Sequence, residues 1–109
     1  MSESAFSSLV DDIFARVEEW VEDAGLDVDF LSAGGMLTIV SEANGSQVIL
    51  SRQSAVSEIW VAAKSGGFHF SRRDGDWYCK TGESLQELLV RCMQEQFNEA
   101  PRQALELPE

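Results

Sequence analysis

The sequence predicts one α+β domain, a two-layer sandwich with an N-terminal and a C-terminal helix on one face of a mainly antiparallel six-stranded sheet. Three observations lead to this prediction. Apolar residues repeat every three or four positions near both ends of the chain, and they alternate in the middle. The breaks between the alternating runs are too short for crossover helices, which favours antiparallel neighbours. The length of 109 residues is ordinary for one domain, so we treat 1–109 as a single unit.

The first predicted element is an amphipathic helix over residues 4–24, closed by Gly25. Its apolar positions are Phe6, Leu9, Val10, Ile13, Phe14, Val17, Trp20, Val21 and Ala24. At about 100° per residue, six carboxylates fall within an arc of roughly 140° on the other side. These are Asp11, Asp12, Glu18, Glu19, Glu22 and Asp23. They form one surface.

Six strands are predicted between residues 27 and 79. They are expected near 27–32, 36–41, 47–52, 57–62, 68–72 and 76–79. Asn44-Gly45 and Asp74-Gly75 favour tight hairpin turns, because both central residues of such turns need a positive φ. Asp27 and Asp29 alternate along the first strand, so their side chains share a face or edge that extends the carboxylate surface of the helix.

A second helix is predicted over residues 84–98, with Ser84 and Glu87 spaced as a capping box and Pro101 as its stop. Its apolar face consists of Leu85, Leu88, Leu89, Cys92 and Met93. For the tail, residues 101–109, two alternatives stay open: it frays, or Leu105 and Leu107 pack between the helix ends.

Charge is the dominant bulk property, because 19 acids outnumber 8 bases and the net charge is -11. The first 29 residues hold nine of the acids and one base, Arg16. Such a chain repels phosphate backbones, which argues against direct nucleic-acid binding. No apolar run reaches the ~18 residues of a membrane span, and the N-terminus lacks a signal-peptide pattern, so we expect a cytoplasmic protein. Cys79 and Cys92 are expected to be reduced core residues.

The carboxylate surface has a plain interpretation as a solvated helix face. Against it, Glu18/Glu22 and Glu19/Asp23 place like charges side by side, which costs on the order of 0.2–0.5 kcal/mol each. Carboxylates without His or Cys suit hard cations, and flexible surface side chains predict weak binding in which other divalent cations could substitute. The same field could steer a basic protein partner.

Trp60 is the second candidate, because alternation in Glu58–Ala62 turns it away from Ile59 and Val61. If those two face the helices, Trp60 faces water and is available to a partner. The alternative is a cluster with neighbouring strands on the outer face. His69, the single histidine, is expected to be a surface or structural residue. No nucleophile motif is present, so we expect no enzymatic activity.

These residues form a pattern that resembles the frataxin family from the acidic helix to about Asn98. The motifs are Gly34-Gly35-Met36-Leu37-Thr38-Ile39, Asn44-Gly45, Arg52-Gln53, Ile59-Trp60-Val61-Ala62, Gly66-Gly67-Phe68-His69-Phe70, Trp77, and Gly82-Glu83-Ser84-Leu85 before Leu88-Leu89. The resemblance implies the same helix, meander, helix sandwich, a frataxin-like fold. The chain departs from residues common in the family at Ser51, Ala55 and Glu58, all near Trp60.

The resemblance also implies binding of ferrous and ferric iron through an acidic ridge on the first helix and first strand. Carried over by position, the ridge consists of Asp11, Asp12, Glu18, Glu19, Glu22, Asp23, Asp27 and Asp29. Family members regulate iron–sulfur cluster assembly on the cysteine desulfurase and its scaffold protein, as iron-dependent modulators or iron donors. The implied partner contacts are Glu18, Glu19, Glu22, Asp23 and Trp60. We expect a monomer that iron could assemble into oligomers. The alternative is an acidic protein-binding adaptor whose metal binding is incidental.

Overall fold

A computed structural model describes residues 2–108 of the chain. It contains two helices and six strands in the predicted order. The elements are α1 (Glu3–Asp23), β1 (Val28–Ala33), β2 (Met36–Ser41), β3 (Gln47–Gln53), β4 (Glu58–Ala63), β5 (Gly66–Arg73), β6 (Asp76–Tyr78) and α2 (Leu85–Phe97). The predicted fold class is confirmed, and the predicted ends lie within two residues of those observed. Met1 and Glu109, the ends of the predicted domain and tail, lie outside the described residues.

The six strands form one antiparallel meander in the order β1-β2-β3-β4-β5-β6. Its regular register follows from the alternation, because a slip of one residue would turn the apolar side chains to solvent. One local prediction was wrong. Ser57 was expected to begin a strand, but it has a left-handed backbone (φ 53°) after a 3-10 turn at Ser54–Val56, so β4 begins at Glu58.

The helices cover one face of the sheet, and the core lies between the layers. Sequence periodicity explains the buried side of α1, where Val10, Ile13 and Val17 are fully buried. Ser2 caps this helix by accepting a hydrogen bond from the Ala5 backbone N–H. The predicted capping box of α2 is present, since Ser84 and Glu87 each bond the backbone of the other. Trp77 on β6 is 2% exposed and contacts Phe6, which links the sheet to α1.

The tail after α2 packs back onto the helices. Trp20 Nε1–H donates to the Gln103 carbonyl oxygen at 2.8 Å, and Arg16 Nη1 donates to that of Glu106 at 3.2 Å. Leu105 is buried and Leu107 packs against the core, so the tail packs and does not fray. The tail is therefore an integral layer over the C-terminal half of α1.

Both cysteines are free and buried, as predicted, and burial raises the pKa of the Cys92 thiol. Across residues 2–108, the structure has no helix whose length and apolar character would carry it through a bilayer.

Candidate functional site

The acidic ridge follows the solvent side of α1, opposite the buried stripe. Asp11, Asp12, Glu19, Glu22 and Asp23 are exposed. Glu18 differs, because it lies at the flank of the carboxylate arc and is half-buried. Arg16, the base nearest in sequence, donates to the backbone of the tail. The helix thus presents its carboxylates in one row, as its periodicity predicted.

Asp11, at the N-terminal end of the ridge, has a cationic neighbour from the sheet. Arg52 Nη1 on β3 donates to Asp11 Oδ1 at 2.7 Å. The Arg52 side chain is 24% exposed and its backbone N–H also donates to the Gly35 carbonyl oxygen at 2.8 Å. Asp11 is therefore already partly neutralised, which leaves the C-terminal part of the ridge as its more negative end.

The ridge continues onto the start of β1, where the structure adds two carboxylates that the sequence did not predict. Asp29 is exposed on β1, and Asp27 lies just before that strand. The Glu42 backbone N–H donates to the Asp27 carbonyl oxygen at 3.1 Å, and the Asp27 backbone N–H donates to Glu99 Oε2 at 3.2 Å. Glu42, just after β2, and Glu99, just after α2, thus lie beside Asp27 and extend this end of the ridge.

These added carboxylates interact with the predicted ones electrostatically. The hydrogen-bond contact with the Asp27 side chain, and then the negative charge of Asp27, raise the pKa of the Glu42 carboxyl; Asp29 adds a smaller effect in the same direction. Two carboxylates that share a site resist losing both protons. This end of the ridge therefore favours uptake of a proton or another cation.

A crevice of about 430 Å³ opens at the C-terminal end of α1. Asp23 at the end of α1 and Glu99 after α2 both line it, together with Leu26 and Arg102. Glu99 also accepts a hydrogen bond from the Asp27 backbone N–H, so it lies between the crevice and the start of β1.

The ridge has the donor chemistry for hard cations but no preformed cage. Among residues 2–108, no three His, Cys, Asp or Glu side chains converge into a group that could hold a metal ion. Carboxylate oxygens match the preference of hard cations, and side chains that must rearrange to coordinate give low affinity. The assignment of iron ligands to individual ridge residues stays a prediction.

The second candidate surface lies on the outer sheet face. Trp60 on β4 pairs directly with His69 on β5, and their rings stack with centroids 4.2 Å apart and planes 10° apart. Trp60 Nε1–H donates to Glu58 Oε1 at 2.9 Å. Trp60 is half-buried, so the alternative of an outer-face cluster describes it better than full exposure to water. Its contact with a partner stays a prediction.

The family model described as a frataxin-like domain matches residues 1–99. The chain belongs to the frataxin family. A Stutzerimonas stutzeri (strain A1501) protein named iron-sulfur cluster assembly protein CyaY is 50% identical to it over 103 residues, covering 92% of this chain and 93% of that protein. The Azotobacter vinelandii protein of the same name is 46% identical over 112 aligned residues, covering 100% and 97% of the two chains.

Solved structures of frataxins agree with the fold. Frataxin from Psychromonas ingrahamii superimposes with a TM-score of 0.85 at 29% identity, covering 93% of this chain and 96% of that chain. Trimeric frataxin from Saccharomyces cerevisiae, complexed with ferrous iron, superimposes with a TM-score of 0.64 at 21% identity, covering 91% and 88%. The second likeness concerns the fold alone.

The resemblance to frataxins implied the ridge on α1 and β1, but not the added residues Glu42 and Glu99. A signal for Glu42 was present, because the hairpin register that pairs Val28 with Ser41 puts residue 42 opposite residue 27. No comparable signal existed for Glu99, which comes near Asp27 only when α2 packs on the sheet. The Asp11–Arg52 pair likewise depends on how α1 lies on β3.

Proposed function

We propose that this chain is an iron-binding protein that regulates iron–sulfur cluster assembly. It acts on the complex of cysteine desulfurase and scaffold protein, as an iron-dependent modulator or an iron donor. The acidic ridge is the observation that carries the proposal. The names of its relatives, which are iron–sulfur cluster assembly proteins, supply the pathway.

Electrostatics supports docking through the ridge. Most of the net charge of -11 comes from α1 and the start of β1, so the field is directional as well as strong. A basic groove on a partner would be drawn to this side, with an association rate that falls as salt rises. We assign partner contact to Glu18, Glu19, Glu22 and Asp23, with Trp60 on the outer face as a further contact.

Ligand chemistry supports iron as a weakly held cation at the same surface. All eight ridge residues offer oxygen atoms, and ferrous and ferric iron accept such ligands. Because the carboxylates are solvated and not caged, iron can be acquired and released with little structural change. We propose a monomer in the absence of iron and iron-bridged oligomers when iron neutralises the ridge.

We further propose that the chain catalyses no reaction of its own and acts in the cytoplasm. Its single histidine is stacked on Trp60 at the outer face. The two free buried thiols agree with a reducing compartment. Measurement of oxygen consumption with ferrous iron tests the first point, since turnover beyond the protein concentration would contradict it.

The second candidate function is an acidic adaptor whose metal binding is incidental. The absence of a convergent ligand group among residues 2–108 favours it. Both functions use the ridge for docking, but only the first requires the response of the desulfurase to change with iron.

An iron titration separates the two. Amide NMR spectra would be recorded with increasing ferrous iron, with and without the desulfurase. Broadening confined to the C-terminal half of α1, the start of β1 and Glu42 supports the ridge as the iron site. Diffuse or absent changes would refute iron binding there. If desulfurase activity responded equally with and without iron, the adaptor would be the better description.

Docking needs a separate charge test. The Glu19→Lys/Glu22→Lys variant is compared with Glu3→Lys/Glu95→Lys, which makes the same charge change away from the C-terminal half of the ridge. We expect at least about a tenfold loss of desulfurase affinity for the ridge variant and a much smaller loss for the control. Equal losses would indicate a non-specific charge effect and contradict docking through the ridge.

A further inference from the structure

Three outer-face side chains, Glu58, Trp60 and His69, form one connected unit. Glu58 and Trp60 are two residues apart on β4, so both point away from the helices. His69 lies directly across from Trp60 on β5. The unit therefore results from strand register, and each member contacts the other two.

Glu58 is the hub of this unit. Its Oε1 accepts the Trp60 indole N–H at 2.9 Å, and its Oε2 accepts the Ser71 hydroxyl at 3.3 Å. His69 Nδ1 lies 3.9 Å from Glu58 Oε1. Two of the three groups around the carboxylate are neutral donors with fixed charge state. The third is an imidazole, whose charge depends on pH.

Protonation of His69 would change both contacts that the imidazole makes. An imidazolium beside Glu58 becomes an ion pair, and an imidazolium stacked on Trp60 gains a cation–π attraction. Histidine is the side chain that ordinarily changes charge between about pH 5 and 8. The His69 side chain is 57% exposed, so a proton can reach it from solvent.

The other groups around His69 determine the net charge of this region. A shallow pocket of about 390 Å³ is lined by Glu58, His69, Ser71, Arg73, Tyr78, Cys79 and Lys80. Glu58 belongs to β4, Arg73 to β5, and Tyr78 to β6, while Lys80 follows β6. Arg73 is held 4.7 Å above the Tyr78 ring. With His69 neutral, the lining carries one acid against two bases, and protonation adds a third positive charge.

We propose that Glu58 and His69 are positioning residues for the Trp60 indole, and that partner contact at this face weakens when His69 takes up a proton. This inference rests on the partner contact proposed above. A partner that is basic enough to dock on the ridge is repelled by added positive charge on the outer face. Protonation of His69 also strengthens the contacts that hold the Trp60 indole in place, so the indole is less able to reorient toward a partner.

The protein alone tests the first half of the inference. Indole N–H resonances are followed by NMR from about pH 5.5 to 8, the range in which histidine titrates. The Trp60 signal should shift with pH in the parent protein, remain flat in His69→Asn, and shift less in Glu58→Gln. Trp20, whose indole N–H is bonded to the Gln103 carbonyl oxygen, serves as the internal control. A Trp60 signal that ignores pH, or that shifts equally in His69→Asn, would overturn the inference.

Partner binding tests the second half. Affinity for the desulfurase–scaffold complex is measured at about pH 8 and about pH 6 for the parent protein and for His69→Asn. Subtracting the His69→Asn response removes the titration of the partner's own groups. We expect the parent to lose about threefold more affinity on acidification than the variant. Equal losses would refute the proton effect and leave the proposed function intact, whereas no binding at either pH would contradict both.

Discussion

Arg52 and Asp11 form an ion pair of 2.7 Å between β3 and the exposed side of α1. The pair joins a residue of the sheet layer to the first carboxylate of the ridge. Arg52 also packs on Gly35, whose φ of +78° marks the β1–β2 turn, so one guanidinium links the turn, the sheet and the helix. This ion pair holds α1 against the sheet. It also occupies the Asp11 carboxylate, which is then less available to bind cations than the other ridge residues.

Substitution of Arg52 should therefore have two separate effects, one on stability and one on iron binding. We expect Arg52→Gln to lower the free energy of unfolding by about 0.5–1 kcal/mol, as is typical of a partly exposed pair. It should also extend iron-induced NMR broadening to Asp11, because that carboxylate becomes available. Urea unfolding and iron titration measure the two effects. Arg72→Gln, an exposed change on β5, is the control; an equal loss of stability in both variants would contradict the role of the pair.

Gln96 is a buried polar residue of α2, and its side chain bonds the β2–β3 loop, the first residue of β3 and the β4–β5 loop. Its side chain accepts from the Lys64 backbone N–H at 2.8 Å and donates to Ser46 Oγ and the Gln47 carbonyl oxygen. We expect Gln96→Ala to lower the free energy of unfolding by about 2 kcal/mol, because it leaves buried groups without partners. Gln94→Ala, exposed on the same helix, should change it little. Urea midpoints compare them, and similar midpoints would argue against a structural role for Gln96.

Leu105 tests the contribution of the tail. It is 9% exposed, and its backbone N–H donates to Gln86 Oε1 at 2.9 Å. We expect Leu105→Ala to cost about 2 kcal/mol of stability, the low end for a buried leucine, because the site is at the edge of the core. Gln103→Ala keeps the carbonyl that Trp20 uses and should be nearly neutral. A thermal unfolding midpoint unchanged by Leu105→Ala would show that the tail is dispensable for stability.

Glu42 predicts an unusual pH dependence. Because its pKa is raised in the folded state, the folded protein holds a proton that the unfolded chain releases sooner. The contribution of Glu42 to stability is thus full below the unfolded pKa and is lost as pH rises through the folded pKa. Glu42→Gln should consequently be more stable than the parent at about pH 7, and this advantage should disappear toward about pH 4.

The pKa of Glu83 is shifted in the opposite direction to that of Glu42, so Glu83 serves as a control. Hydrogen bonds from Arg91, at 2.9 Å, and then from Thr81 lower the pKa of Glu83. Its contribution is present above the unfolded pKa and is lost as pH falls through the folded pKa. Glu83→Gln should therefore be less stable than the parent near neutrality, with the difference shrinking in acid. Urea midpoints at several pH values compare the variants; parallel pH profiles for both would refute the assigned pKa directions.

The sequence was sufficient for the fold because each element has a local signal. Helical spacing and the Ser84–Glu87 capping box defined the helices, and alternation with Asn-Gly and Asp-Gly turns defined the meander. The prediction that Ser57 begins β4 was wrong. The left-handed conformation of Ser57 closes a 3-10 turn, and serine carries no glycine-like signal for a positive φ.

The candidate site was predicted where it lies along one element and missed where elements meet. The ridge on α1 follows from 3.6-residue spacing alone. Glu99 and the Asp11–Arg52 pair depend on the way helices settle on the sheet, for which no short-range pattern exists. The Trp60–His69 stack was predictable only in part. A β4–β5 hairpin that pairs Ala63 with Gly66 also places Trp60 opposite His69, but it does not define the stacking of the rings.

The position of β1 at the border of the sheet gives the ridge a consequence beyond binding. A border strand exposes unpaired backbone groups that can recruit a strand from another molecule, and charged side chains are a common defence against this. Asp29 on β1, with Asp27 and Glu42 beside its start, places such repulsion at this border. The opposite border, β6, is only three residues long. The carboxylates that attract cations should thus also oppose strand pairing between copies of the chain. Variants in which the ridge is fully neutralised should therefore aggregate more readily.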